Sequence, residues 1–148
     1  MPTYLCTIPV DSLSGDQKAA VAKAITRVHS EVTGAPGFFA EVIFQHVADG
    51  DWFIGGAPLA KETIYVHGNI RGGRTPEMRH DLIVRLAAAI GDAAGLPAHA
   101  IWIYLSELPP RAMMEFGQVL PEPGGEAAWT AALSEADRAR MQAIGRKD

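Results

Sequence analysis

Two stretches of this chain carry the same grammar at a fixed offset. Residues 3–36, TYLCTIPVDSLSGDQKAAVAKAITRVHSEVTGAP, overlay residues 64–97, IYVHGNIRGGRTPEMRHDLIVRLAAAIGDAAGLP, without a gap when shifted by 61 positions. Tyr4 meets Tyr65, Ser14 meets Thr75, Gly34 meets Gly95 and Pro36 meets Pro97. Identity between the copies is low, but a repeat fixes the unit from which a fold is built, so it is read before any single motif.

Each copy reads strand, loop, helix, turn, strand. TYLCTI and TIYVHGNI are rich in Thr, Tyr, Ile and Val, which suit strands. Ser14 and Thr75 are expected N-caps, with Asp16 and Glu77 in the first turns. Val21, Ile25, Val28 and Val32 form one amphipathic stripe; Leu82, Leu86, Ala89, Ile90 and Ala93 form the other. Gly34 and Gly95 sit where helices end in the left-handed region, each followed by a proline. AEVIFQHV and AIWIYLSEL close the two units. A tandem βαβ repeat of this kind predicts an α/β (α+β) fold, with a four-stranded sheet and two helices on one of its faces. The other face and the edges would remain bare, so an oligomer is expected. The whole chain, 1–148, reads as one domain: repeat one over about 2–48, repeat two over about 63–109, and a tail over about 110–148. That tail holds a Pro/Gly-rich stretch and then WTAALSEADRARMQAIG, expected as a short helix.

Composition narrows the class. Hydrophobic residues make up 48% of the chain, enough for a proper core, and a net charge of −4 gives no basic footprint for nucleic acid. Cys6 is the only cysteine, so no intrachain disulfide is available. No apolar run reaches the roughly 20 residues of a membrane span, and the start lacks the features of a secretory signal. A soluble, cytoplasmic protein without a membrane or nucleic-acid partner is expected.

Several polar residues stand outside the repeat. Pro2 follows the initiator methionine, and methionine is usually trimmed before so small a residue. Pro2 would then carry a free secondary amine, a base when neutral and an acid when protonated. His29 lies on the apolar stripe of the first helix, where the second copy has Ile90. It is either a core histidine bonded to a nearby backbone group or a functional one, since a buried polar group needs a partner. NIRGGRTPE places Arg71 and Arg74 around two glycines. Paired guanidiniums suit a planar carboxylate, although a solvated basic loop is equally compatible. Tyr104 in the fourth strand and Glu115 in MMEFGQVLPEPG are uninformative alone. The remaining histidines show no ligand spacing, so no metal site is expected, and no phosphate-cradling loop or dinucleotide fingerprint is present.

Together these residues are more specific than any one of them. AVAKAIT, VHG, GRT, the W-x-Y of IWIYLSEL, and EFG with LPEPG resemble the tautomerase superfamily, and within it the cis-3-chloroacrylic acid dehalogenase family, over nearly the whole chain. The resemblance implies a tautomerase fold assembled as a homotrimer, with no cofactor. It implies catalytic roles for Pro2, His29, Tyr104 and Glu115, and substrate carboxylate binding by Arg71 and Arg74. The implied activity is addition of water to a small unsaturated carboxylic acid of the 3-haloacrylate type, giving malonate semialdehyde and halide. The same site could serve an enol–keto tautomerase acting on a phenylenolpyruvate-like acid, or a hydratase and decarboxylase of acetylenic acids. A non-catalytic binding module would not need the full polar set.

Overall fold

The structure is a computed structural model that describes residues 2–37, 40–59 and 61–144. The initiator methionine, whose removal would free Pro2, and the last residues of the tail, 145–148, lie outside the described residues.

The strand expected at the start is β1 (Thr3–Pro9). Its side chains alternate as a half-buried strand requires: Tyr4, Cys6 and Ile8 are fully buried, while Thr3, Leu5 and Thr7 point to the other face. α1 (Gly15–Thr33) starts at a capping box in which the Ser14 hydroxyl accepts from Gln17 N (3.1 Å) and Gln17 Oε1 accepts from Ser14 N (2.9 Å). It ends at Gly34, whose φ of 72° is left-handed. The chain returns through β2 (Glu41–Val47) and a small hairpin of β3 (Phe53–Ile54) and β4 (Ala57–Pro58).

The second copy repeats the course. β5 (Ile64–Arg71) leads to α2 (Pro76–Ala94), capped by the Thr75 hydroxyl and ended by Gly95 at φ 70°, and then to β6 (Ile101–Leu108). The sheet order is β2-β1-β5-β6; β1 runs parallel to β2, β5 parallel to β6, and β1 antiparallel to β5. The two βαβ units therefore meet along β1 and β5, and α1 packs beside α2 on one face. Val21, Ile25 and Val28 of α1, Leu82, Leu86 and Ile90 of α2, and Tyr4, Cys6, Ile8, Val66 and Ile70 of the sheet form the core. Burial pushes the Cys6 thiol up to about 12, which suits the packing role expected of it. The opposite face carries Ile43, Trp102 and Tyr104, all exposed.

The tail departs from the expected single helix. Glu115 lies on β7 (Met114–Glu115), paired with β8 (Gln118–Val119) through a two-residue turn at Phe116 and Gly117, both with positive φ. The helical stretch then divides into α3 (Glu126–Ala132) and α4 (Glu135–Ala143). Leu133 is extended and buried between them, and the Ser134 hydroxyl accepts from Asp137 N (3.1 Å) as a new N-cap. A serine side chain that bonds the backbone ahead of it favours such a restart over continuation. Among the described residues no helix is long and apolar enough to cross a membrane.

Candidate active site

Because β1 and β5 are antiparallel, the start of β1 lies beside the end of β5. That register brings Pro2, buried at the head of β1, to the loop carrying Arg71 and Arg74. The end of α1 and the tail close the space into a cavity of about 540 Å³. Pro2, His29, Arg71 and Arg74 all line it. The Pro2 carbonyl accepts from Glu41 N (3.0 Å), which ties the head of the chain to β2.

His29 is buried, 3% exposed, and finds its partner in a side chain and not in the backbone: the Tyr4 hydroxyl lies 2.7 Å from Nδ1. The two rings meet edge to face. The Tyr4 ring fits because residue 68 is glycine; a Cβ there would come within 2.6 Å of Tyr4 Cε1. Burial, then the charges of Arg74 and of the amino terminus, hold the His29 imidazole down at about 4, so it is neutral at pH 7. Burial raises the Tyr4 phenol well above its ordinary value.

The two arginines differ. Arg71 Nη1 donates to the Pro121 carbonyl (3.0 Å), and Nη2 pairs with the Glu126 carboxylate, so the tail already holds this side chain. Arg74 makes no side-chain ion pair among the described residues, and its Nε is buried without a hydrogen-bond partner. Burial and then the Arg71 charge lower its pKa, and the carboxylates of Glu126 and Glu107 offset only part of that. Glu107 of β6 steadies the loop by accepting from Arg74 N (3.2 Å) and pairing with Arg79. Gly73, at φ 94°, lets the loop approach the tail, where a Cβ would meet Pro123 Cγ at 2.6 Å.

The other two expected residues stand apart. Glu115 does not line the cavity, but its carboxyl responds to the chain's amino terminus: burial pushes it up and that positive charge pulls it part of the way back. Tyr104 lies on the bare face of the sheet, 57% exposed, edge-on to Tyr65 and away from the cavity. Among the described residues no cluster of three His, Cys, Asp or Glu could hold a metal. Sequence reasoning missed Tyr4, which alternates with Cys6 and Ile8 on the core side and so could have been paired with His29. It also missed Glu126 and the apolar tail wall of Leu120, Trp129, Leu133 and Met141, for which no local pattern exists.

Pro2 is thus buried beside two arginines at the junction of the antiparallel βαβ units. Residues 1–133 match the Tautomerase_3 family model, described as "Putative oxalocrotonate tautomerase enzyme". Among solved structures the chain is similar to N1, a member of the cis-3-chloroacrylic acid dehalogenase family: 30% identity, TM-score 0.91, over 95% of this chain and 98% of that one. It is also similar to native Ps01740 (27% identity, TM-score 0.71, 76% and 99% covered). A fused 4-OT, described as a symmetric trimer, shares the fold at 23% identity and TM-score 0.72, with 80% and 94% covered. No curated protein sequence matches. The chain belongs to the tautomerase superfamily and, within it, to the cis-3-chloroacrylic acid dehalogenase family.

Proposed function

We propose that the protein is a cofactor-independent hydratase and hydrolytic dehalogenase of 3-haloacrylate-type acids. The observation that carries this reading is the meeting of Pro2, His29, Arg71 and Arg74 around one cavity. A guanidinium on the substrate carboxylate draws electron density from the double bond and makes C3 electrophilic. Water, placed by His29 and deprotonated by Glu115, adds its oxygen to C3. The protonated Pro2 amine delivers a proton to C2, which completes the addition. The resulting halohydrin loses halide and a proton to give malonate semialdehyde. Burial supports Glu115 as the base, because it raises the basicity of that carboxylate.

Tyr104 can take part only from a neighbouring copy, since its own chain holds it on the far face of the sheet. A homotrimer would cover that face, where Ile43, Trp102 and Tyr104 are exposed, and the trimeric fused 4-OT has the same fold. A second reading keeps Pro2 neutral and uses it to move a proton between carbon and oxygen of an enol such as phenylenolpyruvate. The size of the cavity favours it, being ample for an aromatic acid.

Turnover of cis- and trans-3-chloroacrylate, followed by halide release and proton NMR, tests the first reading. Malonate semialdehyde should appear with the mature protein and not with a folded form bearing one extra residue ahead of Pro2. Equal turnover by that extended form refutes the role of the amine. Ketonisation of phenylenolpyruvate without halide release supports the second reading.

A further inference from the structure

One helix at the cavity is lightly anchored. α3 buries none of its residues and has no side-chain N-cap, and it follows Gly124, at φ 89°, and Gly125. The tail around it nevertheless supplies one side of the cavity, a mixed apolar and polar surface of Leu120, Pro121, Glu126, Thr130, Arg138 and Gln142. The Trp129 indole N–H donates to the Val119 carbonyl (2.8 Å), a contact that stays within the tail. The Glu126 carboxylate pairs with the Arg71 guanidinium, and this contact joins α3 to the end of β5.

The two partners of that pair are unequal. Arg71 is 11% exposed and Glu126 is 52% exposed, so the guanidinium is a fixture of the cavity and the carboxylate reaches it from the solvent side. Arg71 also donates to the Pro121 carbonyl (3.0 Å), which keeps it in place when the carboxylate leaves. The Arg71 hydrogen bond, and then backbone N–H groups, hold the Glu126 carboxyl below its ordinary range, so it is charged at neutral pH. At Arg74, burial and the Arg71 charge lower the pKa, and the Glu126 charge offsets part of that. A carboxylate of the protein's own is therefore bonded to one guanidinium of the cavity and felt by the other. It is the group that a substrate acid would bring, and two carboxylates on one guanidinium repel each other.

We propose that Glu126 is a gate: its carboxylate occupies Arg71 while the site is empty, an incoming acid displaces it, and α3 then comes away from the cavity. Departure of the product acid lets Glu126 return, so the tail competes with every carboxylate ligand at the same guanidinium. Glu126 acts through Arg71 and is a positioning residue. This rests on the reading of the cavity as an acid-binding active site, and it assigns that site a device by which its own tail regulates entry.

Propanoate, an unreactive acid, is the probe, and ligand NMR reads its affinity without relying on turnover. Glu126→Gln removes the competing anion and should tighten propanoate binding about three- to ten-fold. Glu126→Asp keeps the charge but falls one methylene short of Arg71, and should show most of the same gain. An aspartate variant that binds like wild type overturns the gate, because charge without contact would then set the affinity. Hydrogen exchange read by mass spectrometry gives the second measurement. Saturating propanoate should speed exchange in residues 126–132 of the wild type at least about ten-fold, and leave the already fast exchange of Glu126→Gln unchanged. Exchange in β1 and β5 should be the same in every variant, which a general loss of structure would not allow. Slower exchange of 126–132 in the presence of propanoate overturns displacement. Propanoate affinity that is indifferent to Arg74→Ala refutes the acid-site reading and the gate with it. Affinity that falls in Arg74→Ala yet is unchanged in Glu126→Gln refutes the gate alone. The expected binding and exchange without halide release from any haloacrylate keep the gate and refute the dehalogenase reading.

Discussion

Replacing Tyr4 by phenylalanine and His29 by isoleucine, singly and together, measures what the buried polar pair does for the fold. The Tyr4 hydroxyl and His29 Nδ1 are 2.7 Å apart, and the two side chains are 0% and 3% exposed. Either single change strands a polar atom in apolar surroundings, at a cost of about 1–3 kcal/mol. The double change removes both partners and leaves apolar groups facing each other, which is nearly neutral or stabilising. The coupling energy of the cycle is then the sum of the two single costs, about 2–6 kcal/mol. Acid sensitivity adds a second readout. The native state holds His29 at about 4, against an ordinary 6.5, so the unfolded chain takes up the proton first. The contribution of His29 is complete above pH 6.5, declines as pH falls toward 4, and is flat below. At 1.36 kcal/mol per pH unit the loss is about 3 kcal/mol. Urea unfolding at one protein concentration, for all four proteins at pH 7 and for wild type and double variant down to pH 4, gives both quantities. The double variant should be inactive, at least as stable as wild type, and without that acid-dependent loss. A double variant destabilised by the sum of its singles, or one that keeps the wild-type acid slope, refutes the reasoning.

The same pair fixes a tautomer. The Tyr4 hydroxyl has no other hydrogen-bond partner among the described residues, so it donates to Nδ1 and neutral His29 carries its proton on Nε2; long-range 1H–15N NMR showing an Nδ1–H form would contradict this. On the hydratase reading proposed above, the base for water is Glu115, and Glu115→Gln should lower hydration about 10²–10⁴-fold with acid binding retained; near-normal hydration would count against it. Gly73→Ala meets both a left-handed φ and Pro123, so it should loosen the tail and speed proteolysis there, while an unchanged cleavage pattern would show that the loop adapts. Trp102→Lys on the bare sheet face should lower the mass seen by light scattering if copies associate through it, and an unchanged mass would place the interface elsewhere.

The skeleton was legible because repeated local chemistry wrote it twice. Ser14 and Thr75 cap the helices, Gly34 and Gly95 end them in the left-handed region, and β1, β2, β5 and β6 fall within a residue or two of the expected strands. Family resemblance singled out Pro2, His29, Arg71 and Arg74, and the antiparallel register of β1 and β5 explains why distant segments converge. The rest depended on contacts that no periodicity encodes. The Tyr4–His29 bond joins residues 25 apart across two elements, and the Arg71–Glu126 pair joins residues 55 apart through a tail with no partner in the repeat. Tyr104 looked equivalent to the others in one dimension, yet the period-two alternation of a strand sends it to the opposite face. In the tail, the stretch read as one helix contained a second cap at Ser134.

The antiparallel junction of β1 and β5 relates the two units by a local two-fold axis, so the sheet has two geometrically equivalent ends. The offset of 61 maps Pro2, His29, Arg71 and Arg74 onto Thr63, Ile90, Val10 and Leu13. At that far end Thr63, Ile90 and Leu13 are buried, and no charge remains in the mapped set. The fold thus offers a second station of the same shape that is mute. Symmetry has been broken in composition while it survives in backbone. One end of the sheet places histidine and arginine at these positions, which stability alone would not choose. The other end fills the matching positions with apolar side chains or threonine. The mute end is thus the keel of the active one, and each chain carries one site where two identical repeats would give two.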